Sequence, residues 1–161
     1  MTPRIETLPS IKLVGQKTTI SLINDKTREL WQSFSPRKKE IKNLASQDLY
    51  SVEIYPGPEY FQHFDPTQEF EKWAAVAVSD FDEIPEGMDD LTIPSGEYAV
   101  FHYKGKPSEV METFKYIYGE WFPTSGFTID DRPHFAVMGS KYNGEHPESE
   151  EEFWIPIKAK Q

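Results

Sequence analysis

The chain has 161 residues, 37% of them hydrophobic and 14% aromatic, enough for one buried core in a single domain spanning 1–161. A formal net charge of −10 argues against DNA, RNA or anionic lipid as direct partners, since neutralising phosphates needs a basic surface. With no cysteine there is no disulfide framework, thiolate catalysis or cysteine-bound zinc, and no N-terminal apolar segment resembles a signal peptide or a membrane span, so a soluble cytoplasmic protein is expected.

Residues 1–10 carry two prolines and are expected only to lead into the first strand, 11–23. Asn24-Asp25 turns the chain, and Asp25 or Thr27 is placed to cap a helix bearing Leu30, Trp31, Phe34, Ile41 and Leu44, kinked near Pro36. The basic run Arg37-Lys38-Lys39 reads as the solvated end of that helix. A strand at 49–55 follows, then a proline-rich loop at 56–68 whose Tyr60, Phe61 and Phe64 need something to cover. Next come a strand at 69–78 and an acidic linker at 81–92.

The second half opens with a strand at 97–103, broken by Gly105 and Pro107. From Ser108, apolar residues recur at Val110, Met111, Phe114, Ile117, Tyr118 and Trp121, a helical stripe that Pro123 and Gly126 should stop. Strands near 127–138 and 152–157 complete the chain, separated by a polar loop.

The element order repeats, which predicts an α+β fold of duplicated β-α-β-β units, over 11–80 and 94–158. Glu-x-Trp recurs in the two terminal strands, as Glu71-Lys72-Trp73 and Glu152-Phe153-Trp154. Strand alternation turns Phe153, Ile155 and Ile157 toward a helix, and Glu152 and Trp154 the other way. Glu71 and Trp73 take the matching face of the sister strand, with Ala75 and Ala77 leaving space beside them. Two antiparallel sheets would then form a central groove with two outer helices, its walls aromatic and lightly acidic. Such a groove suits a flat hydrophobic or cationic molecule.

The segments Ile93-Pro94-Ser95-Gly96-Glu97-Tyr98, Tyr118-Gly119-Glu120-Trp121-Phe122-Pro123, Arg132-Pro133-His134-Phe135 and Glu152-Phe153-Trp154-Ile155 resemble the GyrI-like small-molecule-binding family. This family is also known as the AraC-type effector-binding domain and belongs to the SOUL-like superfamily. The resemblance implies two β-α-β-β repeats around a groove. It also implies one of three roles: binding of multidrug-type ligands, including as an effector sensor for transcription; hydrolysis of cyclopropanoid toxins; or an interaction such as gyrase inhibition. A pocket glutamate is expected after His134-Phe135, and Ala136 stands there. Either that role is lost, or the carboxylate was removed to trap a ligand, or Glu71 or Glu152 substitutes.

The residues expected to line the ligand are Trp73, Trp154, Glu71, Glu152, Tyr98, Phe101, Trp121 and His134, with Tyr103 as a proton donor and position 136 as the site of the base. Trp121 and Tyr118 also fit as helix core anchors and His134 as a structural histidine, while Glu150 and Glu151 read as surface. The four histidines, His63, His102, His134 and His146, show no metal-ligand spacing. No glycine-rich phosphate loop or Gly-x-Ser-x-Gly elbow is present, so no cofactor is expected. The expected function is binding of hydrophobic planar compounds, with cyclopropane hydrolysis as the enzymatic reading. A module for a basic protein partner is the third reading.

Overall fold

The structure is a computed structural model that describes residues 1–161. Its first half runs β1 (Arg4–Leu8), β2 (Ile11–Ile20), α1 (Thr27–Phe34), β3 (Leu44–Ile54) and β4 (Phe70–Val78). The second runs β5 (Asp89–Ile93), β6 (Gly96–Lys104), α2 (Met111–Tyr116), a π turn at Ile117–Trp121, α3 (Phe122–Thr124), β7 (Phe127–Ile129), β8 (His134–Met138) and β9 (Glu150–Ala159). The two β-α-β-β units expected from the sequence are β2-α1-β3-β4 and β6-α2-β8-β9.

The two sheets are joined edge to edge. The strand order is β1-β6-β9-β8-β3-β4-β2-β5, with β7 added on β9, and β3 pairs antiparallel with β8 from Leu49↔Met138 to Glu53↔His134. The outermost strands then tie the sheet's ends together. β1 pairs with β6 up to Leu8↔Gly96, and β2 pairs with β5 from Ile11↔Ile93 in the same register. One long antiparallel ribbon therefore runs through both pairs, interrupted where Pro9-Ser10 faces Pro94-Ser95. Proline has no N–H to give the ladder, so the ribbon bends at this doubled Pro-Ser step, and the sheet curls into a half-barrel.

Alternation along the strands separates three apolar clusters. The interior of the half-barrel holds Leu13, Val52, Trp73, Tyr98, Phe135 and Trp154 among others. On the outside, Leu30 and Phe34 of α1 cover Val14, Ala74, Val76 and Val78. Ile117 and Phe122 cover Ala99, Phe101, Phe153, Ile155 and Ile157. The predicted helix-facing set of the last strand lies where expected.

Several boundaries differ from the sequence reading, each for a physical reason. Residues 1–10 contain β1 and the acidic 81–92 segment contains β5. Both are short and largely exposed, and each is held by a partner distant in sequence. The first helix ends at Phe34, because Pro36 lacks the N–H that would continue it. Ser35–Glu40 tightens into a 3₁₀ segment, and Leu44 begins β3. Pro123 does not stop the second helical segment; it occupies the first turn of α3, where its missing N–H costs nothing. The 127–138 strand is two strands, β7 and β8. No helix is long and apolar enough to cross a membrane.

Candidate functional site

The Glu-x-Trp pairs lie inside the half-barrel, as alternation requires. The Trp73 indole N–H donates to Glu71 Oε1 at 2.6 Å and that of Trp154 to Glu152 Oε1 at 3.3 Å. Lys17 lies 5.5 Å from the Trp73 ring centroid and Arg4 5.5 Å from that of Trp154. Arg4 Nη1 also pairs with Glu152 Oε2 at 2.8 Å. Phe135 stacks on Trp154 at 5.5 Å, and Tyr98 meets both rings edge-on. With Trp73 2%, Trp154 8% and Tyr98 0% exposed, these residues are packed against one another as a core; Glu71 is already engaged by its indole, and Glu152 by its indole and Arg4.

The other expected residues do not join them. Phe101 and Tyr103 alternate with Tyr98 and face α2. Phe101 meets Trp121 edge-on at 5.2 Å, so Trp121 serves as a core anchor, and the Tyr103 hydroxyl donates to the Lys106 carbonyl at 2.5 Å. Ala136, flanked by Ser51 and Phe153, also faces outward. His134 points the same way, and Glu71 and Glu152 are on the opposite side of the sheet from both.

The outer face to which Ala136 belongs carries a carboxylate of its own. Along β3, alternation puts Ser51 and Glu53 on that face, with Glu53 directly opposite His134 and diagonal to Ala136. Two buried side-chain polar atoms in the protein have no hydrogen-bond partner, Glu53 Oε2 and Arg132 Nη1. The arginine is accounted for, since its guanidinium lies 4.7 Å from the Tyr98 ring and its other nitrogens bond Asp130 and the carbonyls of Glu97 and Ile157. Glu53 has only a long ion pair in place of a well-formed hydrogen bond. Its ion-pair partner is Lys72 Nζ, 3.5 Å from Oε2 and so at the long limit of a hydrogen bond, and the Glu53 and Lys72 side chains are 21% and 12% exposed. Burial raises the Glu53 carboxyl above its ordinary range, and the Lys72 charge opposes the rise.

Aromatic rings cluster on the same face: His134 lies across the ladder from Glu53, and the Glu53 charge reaches Tyr55 and Tyr118. Phe61 stacks on Tyr118 at 5.2 Å and on His134 at 5.2 Å, while Tyr55 meets His134 edge-on at 4.8 Å. Tyr60 and Phe61 come from the 3₁₀ turn Pro58–Phe61, so the proline-rich loop does cover something. The Tyr118 hydroxyl lies 3.5 Å from His134 Nδ1. Burial raises the Tyr55 and Tyr118 phenols well above the usual range, and the charge of Glu53 adds to both. A cavity of about 100 Å³ opens beside the rings, lined by Tyr55, Gly57, Pro58, Phe61 and the turn leading to His134. Glu151, read from the sequence as surface, is half-buried. Its carboxyl is pushed up to about 7 by burial, with Glu53 adding to the rise and Lys72 opposing it.

Glu53, Lys72, Tyr55 and Phe61 were not among the sequence candidates. The available signal was a glutamate in the middle of Tyr50-Ser51-Val52-Glu53-Ile54-Tyr55, an otherwise apolar and aromatic strand.

The two titrating groups give opposite pH slopes. Burial, with Arg132 adding, holds the His134 imidazole at about 3, below its ordinary 6.5, so the unfolded chain binds the extra proton between those values. The stability from its neutral burial is complete above pH 6.5 and is lost as the pH falls toward 3, by about 1.4 kcal/mol per unit. Glu151 works the other way, contributing fully below 4.5 and losing its contribution as the pH rises to about 7. In urea melts at pH 5.0 and 6.5 the two contributions oppose each other: His134→Gln is expected to raise stability at pH 5.0 relative to pH 6.5 by about 1.6 kcal/mol, and Glu151→Gln to lower it.

Comparison with known proteins identifies the family. The family described as Cass2, integron-associated effector binding protein, matches residues 4–157. The transcriptional regulator BrlR of Pseudomonas aeruginosa is 29% identical over 159 residues; the match covers 98% of this chain and 56% of the regulator, so the chain spans about half its relative's length. SAV2435, solved bound to tetraphenylphosphonium, superposes with a TM-score of 0.74 at 20% identity over 98% of this chain and 94% of that one. The integron cassette protein VCH_CASS2 of Vibrio cholerae gives 0.69 at 14% identity, covering 98% and 96%. The chain belongs to the GyrI-like Cass2 family of effector-binding proteins.

Proposed function

We propose that the protein binds aromatic or hydrophobic cations on its outer face, between the helices, with Glu53 as the countercharge and Tyr55, Phe61, Tyr118 and His134 as the walls. The observation that carries this reading is the buried Glu53 Oε2 without a well-formed hydrogen bond, on the face that holds the Phe61, Tyr118 and His134 stack. A delocalised cation offers no N–H or O–H to a site, so it is best recognised by a desolvated negative charge and the faces of rings. The tetraphenylphosphonium held by SAV2435 is a ligand of this chemistry. The cavity of about 100 Å³ beside these rings is smaller than such a ligand and is not lined by Glu53 or Tyr118, so the Pro58–Phe61 turn must move aside on binding. The net charge of −10 adds long-range attraction for cations. The protein acts in the cytoplasm in this reading and touches no nucleic acid itself.

Calorimetric titration with tetraphenylphosphonium tests it. Glu53→Gln preserves shape and removes charge, and is expected to weaken binding by about 10- to 100-fold. Unchanged affinity would remove Glu53 from the site.

Hydrolysis of cyclopropanoid toxins is the second reading. The same observation favours it, because an ionised Glu53 with a free lone pair is placed to orient water where residue 136 offers no carboxylate. Ring opening of a cyclopropyl-indole substrate, followed by absorbance and abolished in Glu53→Gln, would establish catalysis; saturable binding without turnover leaves the effector-binding role alone.

A further inference from the structure

Glu53 has a neighbour that the binding reading does not use. Lys72 is its cross-strand partner on β4, so both backbones are fixed by the β3–β4 ladder while the four-carbon lysine stem keeps rotatable bonds. The ammonium stands 3.5 Å from the buried oxygen, too far for a well-formed hydrogen bond. It is therefore held by charge more than by geometry. A second carboxylate, Glu151 of β9, also feels the Lys72 charge. Other titratable groups nearby are His134 of β8, Tyr118 of the π turn, and Tyr55 and Tyr60 of the covering loop. This face thus sets two carboxylates, both raised by burial, against one ammonium, with the Arg132 charge also acting on His134.

Resting on the cation-binding reading, we propose that Lys72 is a tethered competitor for the ligand's positive charge, occupying Glu53 in the free protein and shifting toward Glu151 when an aromatic cation enters. Lys72 is then a specificity-determining residue. A small hydrated cation gains little by displacing an ammonium that already neutralises Glu53, and it brings no ring surface to offset its own dehydration. A large aromatic cation can displace the ammonium, because stacking on Phe61, Tyr118 and His134 supplies free energy that Lys72 does not receive there. Without the lysine, that discrimination would be relaxed and the cation would bind more tightly.

The test compares wild type, Lys72→Met and Lys72→Arg by calorimetry from pH 7 to 9, with tetraphenylphosphonium as the cationic probe and triphenylphosphine oxide as the neutral one. A Glu53 without its ammonium takes up a proton more readily, so the effect should be read at the upper end of this range. Lys72→Met is expected to bind the cation about tenfold more tightly than wild type at pH 9, and the neutral probe within about twofold. Lys72→Arg, which keeps the charge, should bind the cation no more tightly than wild type. If Lys72→Met binds the cation no better at any pH, Lys72 is not a competitor and the proposal falls. Lys72→Gln must move the same way, which keeps the result readable should the methionine variant fold poorly. Failure of the underlying reading looks different: wild type itself would show no saturable binding, or Glu53→Gln would leave its affinity unchanged.

Discussion

Alanine at position 15 is expected to cost about 3 kcal/mol or more and to lower the melting temperature by roughly 10 °C. Gly15 lies in β2 opposite Ala75 of β4, where the two backbones approach so closely that a Cβ would fall 2.7 Å from the Ala75 Cα and 2.8 Å from its Cβ, and against the Ala74 carbonyl oxygen. These are mainly backbone atoms, which cannot rotate away as a side chain would. The only relief is to part β2 from β4. That would also disturb the interior around Leu13 and the outer layer around Val14, which are 0% and 1% exposed. Thermal unfolding of Gly15→Ala beside wild type checks this, and a loss below about 1 kcal/mol would mean that the strands separate easily.

Truncation of Trp154 to alanine should cost about 3–5 kcal/mol. The ring is 8% exposed, stacked on Phe135 and edge-on to Tyr98, and its removal leaves a hole that the curled sheet cannot collapse to fill. Arg4 and Glu152 would lose the ring between them but keep their 2.8 Å pair. Trp154→Phe retains the stack, loses the 3.3 Å hydrogen bond, and should cost only about 1 kcal/mol. Urea midpoints measure both variants. The phenylalanine variant has a further use: it should bind tetraphenylphosphonium within about twofold of wild type, since Trp154 lies on the opposite side of the sheet from Glu53. A large loss of affinity would move the ligand site into the half-barrel.

Much of the fold was legible because strand faces are a local property. The period-2 pattern in Phe153, Ile155 and Ile157 placed one face under a helix and the tryptophans on the other, and both assignments agree with the structure. β1 and β5 were not legible. Arg4, Glu6, Asp89 and Asp90 give them a polar character, and what makes them strands is pairing with residues roughly 75 to 95 positions away. The family resemblance singled out position 136, and Ala136 does lie on the face that carries the candidate site. The carboxylates offered as its substitutes, Glu71 and Glu152, lie on the opposite face. Glu53 was overlooked because burial of a charge depends on neighbours from other elements, here Lys72, Tyr118 and Phe61, which no reading of 49–55 alone can supply.

The doubled Pro-Ser step has a consequence for how the two halves relate. β1 begins the first half of the chain but pairs with β6 of the second, and β5 begins the second but pairs with β2 of the first. Each half thus donates its leading strand to the other, as in a domain-swapped dimer whose subunits happen to share one chain. A lone half would expose two unpaired strand edges and one side of an apolar interior. Its natural escape is to pair with a second copy of itself, through the same reciprocal exchange. The duplication is thus a dimer in form, and the segment joining β4 to β5 is the link that makes it obligatory.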